Sequence, residues 1–357
     1  MVNDCLLPSV RIVADIALGA VPVSVSGGTE LEATMPWVLS GLGLLILLLA
    51  GDALVKGAVN LSLRLGVPAL IVSLTIVAFG TSAPELLISI QAILDDAPGL
   101  ALGNVVGSNI ANILMVLGIP ALLAVMHTSQ CDTRKTYIFM IAASVLFIAL
   151  AFRGVFDWIS GIVLLGALAF VLFDAMCEAN NHRKGCDVDD VCVKENDVED
   201  ENVEGADPDM PSWRIGLFLG LGLIGLPLGA DLLVDNATII ARTYGISDTV
   251  IGLTLVAIGT SLPELATTVM AVFRKQADVA LGNVIGSNMF NLLAIIGIAS
   301  QFGPIPVDPE FLELDLWVML GASLLLVPFV FLRFDITRVW GALLALLYVA
   351  YLALVLA

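Results

Sequence analysis

The strongest constraint on this sequence is an internal repeat. Residues 80–85 read GTSAPE and recur as GTSLPE at residues 259–264. Residues 103–112 read GNVVGSNIAN and recur as GNVIGSNMFN at residues 282–291. Both pairs of motifs are separated by the same 179 positions, and about 28 of the 68 residue pairs around them are identical at that offset. Because chance gives only a handful of identities, the chain is a duplication of one structural unit.

The composition places this duplication in a membrane. Hydrophobic residues make up 59% of the chain and charged residues only 13%, and the mean hydropathy is +1.01. A helix needs about 20 apolar residues to cross a bilayer. Ten segments meet this requirement, so we expect an all-α polytopic membrane protein with ten transmembrane helices. They are residues 36–60, 68–93, 100–125, 136–152, 156–174, 213–240, 249–273, 279–302, 315–332 and 336–356.

The charged residues are segregated from these segments. Acidic residues outnumber basic ones by 33 to 15, which gives a net charge of -18. Nucleic-acid binding is disfavoured, because phosphate contacts require clustered Lys and Arg. Many of the acids fall in residues 176–212, which we interpret as a solvated cytosolic loop, with weak Ca²⁺ sensing as the alternative. Residues 1–34 form an N-terminal extension, and a crossing helix or a cleaved segment both remain open there.

The helix count predicts how the two halves are oriented. Residues 35–175 and 213–357 each hold five predicted helices, an odd number, so the second half must enter the membrane from the opposite side. Inverted-topology repeats of this kind are the architecture of secondary transporters, with the ion site near the bilayer midplane between the halves. Basic residues concentrate on one side of the predicted segments, which places both termini outside and the long acidic loop in the cytosol.

Two acidic residues lie deep within the predicted helices. Glu85 stands ten residues before the Asp95–Asp96 pair, and Glu264 stands ten residues before Arg274. Ten helical residues span about 15 Å, which is half of the hydrocarbon core. A carboxylate at that depth is costly and usually faces a cavity or a partner. A structural hydrogen-bonding role is the alternative for both.

Oxygen-bearing side chains accompany these glutamates at helical spacing. Hydroxyls stand three and four residues before each Glu, and polar residues of the second motif run at i, i+4 and i+8. Hard cations such as Ca²⁺ and Na⁺ prefer oxygen ligands. The candidate cation ligands are Thr81, Ser82, Glu85, Ser108, Asn112, Thr260, Ser261, Glu264, Ser287 and Asn291, with Asn104 and Asn283 in the same rows.

Prolines and glycines add a backbone component to the predicted site. Pro84 and Pro263 each remove an N–H group, which frees the carbonyls of Gly80 and Gly259. Broken helices at membrane depth can present such carbonyls to ions. Glycines elsewhere, such as Gly51, are interpreted as helix-packing positions.

A further acidic pair repeats nearer the helix ends. Asp52 and Asp231 occur at the same offset, and a vestibule role and simple helix-end solvation are both open for them. Lys56 is predicted to pair with Asp52, one helical turn away. The equivalent of Lys56 is Asp235, so the symmetry fails there.

At these motifs the chain resembles the calcium/cation antiporter superfamily, and in particular its prokaryotic sodium/calcium exchanger-like members. The paired GTS-x-PE and GN-x-x-GSN-x-x-N units look like the two α-repeats of that family. The resemblance covers residues 36–357 and implies that the ten residues given above line the ion sites. Some family members carry Asp at the last motif position, where this sequence has Asn112 and Asn291.

These observations favour antiport of Na⁺ and Ca²⁺ by alternating access, with Ca²⁺/H⁺ exchange on the same scaffold as the nearest alternative. The glycine-rich first and sixth helices are expected to present smooth surfaces that slide against the ion-binding bundle. The partners are small inorganic cations and membrane lipid, with no bound cofactor and no enzymatic activity. An intramembrane serine hydrolase using Ser82 or Ser261 lacks a nearby base, since His127 and His182 fall in loops. A passive cation channel and a Ca²⁺ sensor are further alternatives.

Overall fold

The computed structural model describes residues 30–131, 133–188, 207, 209–246, 257–309 and 311–356. Within these ranges the chain forms helices joined by short loops, with one two-stranded ribbon of β1 (Val155–Phe156) and β2 (Ile305–Pro306). The helices are α1 (Glu30–Leu65), α2 (Ala69–Thr81), α3 (Ala83–Leu94), α4 (Pro98–Leu123), α5 (Arg134–Ala151), α6 (Trp158–Val188), α7 (Ser212–Thr243), α8 (Ala257–Thr260), α9 (Leu262–Phe273), α10 (Ala277–Ala299), α11 (Phe311–Phe331) and α12 (Arg338–Leu356).

Eight of these helices are long and apolar enough to cross a membrane, or nine if α2 and α3, which meet at a bend of 41°, form one span. Together they correspond to nine of the ten predicted segments. The tenth, residues 249–273, contains α8 and α9, but its first part lies outside the described residues. Residues 1–29 of the predicted extension and residues 189–206 and 208 of the acidic loop also lie there, whereas residues 30–34, predicted to belong to the extension, already form the start of α1.

Helix α6 is longer than the sequence predicts. The apolar pattern ends near residue 174, whereas the helix continues to Val188. Lys135 of α5 pairs with Asp174, the last residue of the predicted segment, and with Glu178 one turn beyond it. Ion pairs between neighbouring helices support a polar helical end that apolar periodicity cannot reveal. The loop between α6 and α7 is therefore shorter than the predicted 176–212.

The helices form a centre and a periphery. In the most apolar stretch of each helix, 100% of α10 and 83% of α4 is buried within the protein. Only 22% of the corresponding stretch of α7 is buried. A helix that is apolar on all sides must be surrounded by protein or by lipid. Helices α4 and α10, which carry the two copies of the GN-x-x-GSN-x-x-N motif, therefore form the interior, and α7 faces outward.

The two longest helices, α1 and α7, pack closely along small residues. A Cβ on Gly43 would lie 2.7 Å from the backbone nitrogen of Leu233, and one on Gly229 would lie 2.9 Å from that of Leu47. Glycine permits such close backbone approach. Gly51 is different, because it faces the carbonyl of Ala266 in α9 at 2.9 Å from a built Cβ. Several of the helix glycines thus join α1 to α7, rather than forming a smooth surface towards the ion-binding bundle as the sequence suggested.

Close glycine contacts also join the two halves. A Cβ on Gly161 of α6 would lie 2.7 Å from the carbonyl oxygen of Gly297 in α10. A Cβ on Gly341 of α12 would lie 2.8 Å from the carbonyl oxygen of Gly118 in α4. In each case the last helix of one half packs on a central helix of the other half. The same contact thus occurs twice, with the roles of the halves exchanged.

Candidate cation site

Each GTS-x-PE motif lies at a break between two helices. Ser82 separates α2 from α3 with φ -86° and ψ 3°, and Ser261 separates α8 from α9 with φ -92° and ψ 5°. Pro84 and Pro263 occupy the first turns of the helices that follow. A missing N–H group is harmless at that position, so the prolines begin a new helix rather than kink a continuous one. The predicted helix breaks are confirmed.

The break places each glutamate at a helix N-terminus. Glu85 lies in the first turn of α3, and Glu264 lies in the first turn of α9. Free N–H groups at a helix N-terminus stabilise negative charge. The spacing of Ser82 and Glu85 is that of a capping box, in which the two side chains bind the local backbone. Ser82 makes no such capping bond, and neither does Ser261 at the start of α9. Their hydroxyls therefore remain available for other contacts.

The two halves meet around Glu264. Ser82 of the first half donates a hydrogen bond to Glu264 Oε1 at 3.3 Å, and Ser287 donates to the same oxygen at 3.5 Å. The hydroxyl of Thr81 lies 3.4 Å from that of Ser287. Glu85 is near enough to Glu264 for their charges to repel. The structure thus brings residues from motifs far apart in sequence into one buried cluster.

The remaining predicted residues lie on α4, α8 and α10, the helices that carry or adjoin the repeated motifs. Ser108 is buried on α4, one turn before Asn112. Asn112 begins a π-helical segment, Asn112–Val116, and Asn291 lies within the equivalent segment Phe290–Ile295 of α10. Single π-helical turns within α-helices are frequent at functional sites. Thr260 is half-buried at the end of α8.

The cluster contains polar atoms whose hydrogen-bonding capacity is unmet. Eight buried side-chain nitrogen or oxygen atoms lack a hydrogen-bond partner among the described residues, and seven of them belong to predicted site residues. Buried polar atoms are normally paired, so a group of seven requires an explanation. They are Glu85 Oε1 and Oε2, Glu264 Oε2, Ser261 Oγ, Asn112 Oδ1, and Asn291 Oδ1 and Nδ2. Six of the seven are oxygens, as expected of a site for hard cations.

Two equivalent asparagines bind the backbone carbonyls of the two glutamates. Asn104 donates to the carbonyl of Glu85 at 3.3 Å and to Ser89 at 3.1 Å. Asn283 donates to the carbonyl of Glu264 and to Thr268, both at 3.4 Å. These contacts are equivalent at the repeat offset, and they fix the N-terminal turns of α3 and α9. The partners Ser89 and Thr268 were missed by sequence reasoning, because a Ser and a Thr at matching positions do not register as an identity.

A pair of asparagines joins the central helices. Asn112 donates through Nδ2 to Asn288 Oδ1 at 3.1 Å, and Asn288 donates to the carbonyl of Asn109 at 3.4 Å. This contact links α4 to α10 and leaves Asn112 Oδ1 without a hydrogen-bond partner among the described residues. Sequence reasoning overlooked Asn109 and Asn288, although both are invariant between the two copies of the GSN motif.

The predicted pairing of Lys56 with Asp52 is confirmed at 3.0 Å. Asp52 also accepts a hydrogen bond from Arg274 Nε at 2.6 Å, which the sequence did not indicate. Arg274 follows α9 directly, so this ion pair joins α1 to the end of the helix that carries Glu264.

Comparison with known proteins gives a consistent result. Residues 35–175 and 215–357 match the sodium/calcium exchanger protein family. The sodium/calcium exchanger MaX1 of Methanosarcina acetivorans is 35% identical over 349 residues, which cover 89% of this chain and 98% of that protein. The inner membrane protein YrbG of Escherichia coli is 35% identical over 284 residues, which cover 79% of this chain and 85% of that protein.

The fold agrees with these sequence relationships. A solved structure of the sodium-calcium exchanger NCX_Mj, soaked with zero Na⁺ and Ca²⁺, is similar with a TM-score of 0.71 and 33% sequence identity. The similarity covers 90% of this chain and 98% of that one. The chain is therefore a multi-pass membrane antiporter that belongs to the sodium/calcium exchanger family.

Proposed function

We propose that this protein exchanges Na⁺ for Ca²⁺ across the membrane by alternating access. The observation that carries the proposal is that oxygens of the two carboxylates and of other side chains in the repeated motifs are buried with no hydrogen-bond partner among the described residues. Such oxygens are unfavourable until a cation binds them, and two carboxylates can neutralise one Ca²⁺. The proposed ligands are Thr81, Ser82, Glu85, Ser108, Asn112, Thr260, Ser261, Glu264, Ser287 and Asn291.

The proposed architecture is ten transmembrane helices arranged as two inverted five-helix repeats, residues 35–175 and 213–357. Support comes from contacts that occur twice with the halves exchanged, as between Gly161 and Gly297 and between Gly341 and Gly118. Exchanged contacts of this kind are expected when two halves are related by a two-fold axis, and the odd number of predicted helices in each half puts that axis in the membrane plane. Both termini would lie outside, and the acidic loop would be a cytosolic linker.

Helices α1 and α7 are the proposed moving part. The two helices pack on each other through glycines. Helix α7 also contacts Gly80 and Gly259, the first residues of the two GTS-x-PE motifs. A Cβ on Gly80 would collide with the side chain of Leu223, and a Cβ on Gly259 would lie 2.6 Å from the side chain of Val234. Movement of the α1–α7 pair past these positions would change which side of the membrane reaches the adjacent Thr81 and Thr260.

Flux measurements test the proposal. In proteoliposomes, an outward Na⁺ gradient should drive ⁴⁵Ca²⁺ uptake by the wild-type protein, and Glu85→Gln should abolish it because one of the two charges that hold Ca²⁺ is lost. Glu313→Gln is the matched control, since Glu313 is exposed at the start of α11 and lies outside the cluster. Wild-type flux in Glu85→Gln, with both proteins folded, would contradict the assignment.

Exchange of Ca²⁺ for H⁺ is the second candidate. It is favoured by Glu85, whose two oxygens both lack a hydrogen-bond partner among the described residues. Protons can compete with metal ions for a buried carboxylate. Imposing the Na⁺ gradient and the pH gradient separately distinguishes the two. Uptake driven by Na⁺ at equal pH supports the first proposal, and uptake driven only by pH supports the second.

A further inference from the structure

Two of the proposed ligands, Asn112 and Asn291, are side-chain amides, and an amide can face a cation in two ways. Its oxygen accepts and can bind a cation, whereas its NH₂ group only donates and repels one. The two ends have nearly the same shape, so packing alone does not distinguish them. A buried asparagine that binds a cation therefore needs a polar neighbour that occupies its nitrogen.

Asn288 is such a neighbour for Asn112. Asn112 Nδ2 donates to Asn288 Oδ1 at 3.1 Å, whereas Asn112 Oδ1 has no hydrogen-bond partner among the described residues. Asn288 is itself oriented, because its Nδ2 donates at 3.4 Å to the backbone carbonyl of Asn109, which can only accept. The side chains of Asn112 and Asn288 are both buried, so bulk water does not compete for these bonds. A fixed carbonyl thus determines which end of each amide faces which way.

The equivalent pair in the other half does not make this contact. Asn109 and Asn291 correspond to Asn288 and Asn112 at the repeat offset. Asn109 donates through Nδ2 to the carbonyl of Val105, one turn earlier in its own helix, at 2.7 Å. Both amide atoms of Asn291 lack a hydrogen-bond partner among the described residues. The orienting contact is therefore a property of Asn288 and not of every asparagine at this place in the motif.

We infer that Asn288 is a positioning residue for Ca²⁺ binding, which holds the nitrogen of the Asn112 amide and leaves its oxygen for the ion. The inference rests on the proposed cation site, but it does not depend on which monovalent ion competes there. Asn288 acts through Asn112 and need not touch the ion. Residues that orient a metal ligand in this way typically change metal affinity by about 10- to 100-fold when they are replaced.

A purely structural role for Asn288 makes a different prediction. Its bonds also join α4 to α10, and their loss could weaken the packing of the two helices. Asn112→Asp separates the two roles, because a carboxylate offers oxygen at both ends and needs no orientation. Loss of an orienting residue should then matter only when residue 112 is an amide, whereas loss of a packing residue should matter in both backgrounds.

The experiment measures equilibrium ⁴⁵Ca²⁺ binding to the purified full-length protein. Four forms are compared: wild type, Asn288→Leu, Asn112→Asp and the double variant. Leu has a volume similar to that of Asn but cannot accept a hydrogen bond, and Asn288→Ser is the second substitution should Asn288→Leu fail to fold. Asn109→Leu is the matched control, since it removes a buried amide whose side chain bonds to its own helix. Unfolding in detergent micelles is measured for every form.

In the wild-type background, Asn288→Leu should weaken Ca²⁺ binding by about 10- to 100-fold. In the Asn112→Asp background the same substitution should change it by less than about threefold, and Asn109→Leu should leave the wild-type affinity in place. Equal losses in both backgrounds, no loss in either, or a loss of the same size from Asn109→Leu would each overturn the inference while leaving Na⁺/Ca²⁺ antiport intact. Wild-type binding that Na⁺ does not displace, or that survives Glu85→Gln, would instead overturn the proposed function.

Discussion

The two halves of this protein have equivalent residues at the central cluster and different residues near the ends of the helices. At the centre, Asn104 binds the carbonyl of Glu85 just as Asn283 binds that of Glu264. At the edge, Asp52 is held by Lys56 and Arg274, whereas the equivalent positions are all acidic. Those equivalents of Asp52, Lys56 and Arg274 are Asp231, Asp235 and Asp95.

This difference between centre and edge indicates which residues are tied to the proposed ion site and which can differ without changing the fold. Under the proposed function both halves offer oxygens to the same cation, which accounts for the repetition of the residues at the centre. Under the proposed topology, equivalent edge residues of the two halves lie on opposite sides of the membrane. They share no ligand, so nothing requires them to carry the same charge. Asp52 and Arg274 join α1 to the end of α9, whereas Asp231 is repelled by Asp235.

The largest expected effect concerns the centre. If the halves contribute equally, Glu85→Gln and Glu264→Gln should each lower Ca²⁺ flux by at least about 100-fold, because each leaves one carboxylate to hold a divalent ion. The measurement is Na⁺-driven ⁴⁵Ca²⁺ uptake at equal amounts of reconstituted protein. A large loss in one variant and near-normal flux in the other would break the equivalence of the two halves.

A smaller effect is expected at the edge, and it should differ between the halves. Asp52→Asn should destabilise the fold by about 1–2 kcal/mol, less than a fully buried ion pair because Asp52 is 21% exposed. Asp231→Asn should change stability by less than about 0.5 kcal/mol, since its acidic neighbour repels it. Unfolding in detergent micelles measures both. Equal losses in the two variants would show that the ion pair does not distinguish the edges.

The two glycine contacts between the halves, at Gly161 and Gly341, should contribute equally to stability. Gly161→Ala and Gly341→Ala place a methyl group 2.7 Å and 2.8 Å from a backbone oxygen of a central helix, which cannot move aside easily. A loss of about 1–3 kcal/mol is expected for each. Gly166→Ala in α6 and Gly321→Ala in α11 are the controls, because a Cβ there meets no atom of the described residues within 4 Å. Destabilisation in the controls of the same size would refute the packing explanation.

The sequence predicts the centre better than the periphery. The duplicated motifs identify Glu85, Glu264 and their oxygen neighbours, because a costly buried charge that occurs twice has few structural explanations. The Asn112–Asn288 contact depends on how α4 and α10 cross, which the sequence of either helix does not contain.

The packing of α1 on α7 was also outside the reach of the sequence. Both helices are apolar on most of their surfaces, so no periodicity shows which glycines face protein and which face lipid. The partner of Arg274 was hidden for a related reason, since Asp52 lies 222 positions away in the chain. Long-range pairing of this kind appears only once the fold is known.

The central claim is that the unpaired oxygens around Glu85 and Glu264 form one site for which Na⁺ and Ca²⁺ compete. Equilibrium binding of ⁴⁵Ca²⁺ to the purified protein, measured over a range of Na⁺ concentrations, tests it most directly. The account predicts saturable binding that Na⁺ displaces competitively and that either Glu→Gln substitution removes, while Glu313→Gln leaves it unchanged. Ca²⁺ binding that survives both substitutions, or that Na⁺ does not displace, would contradict the account.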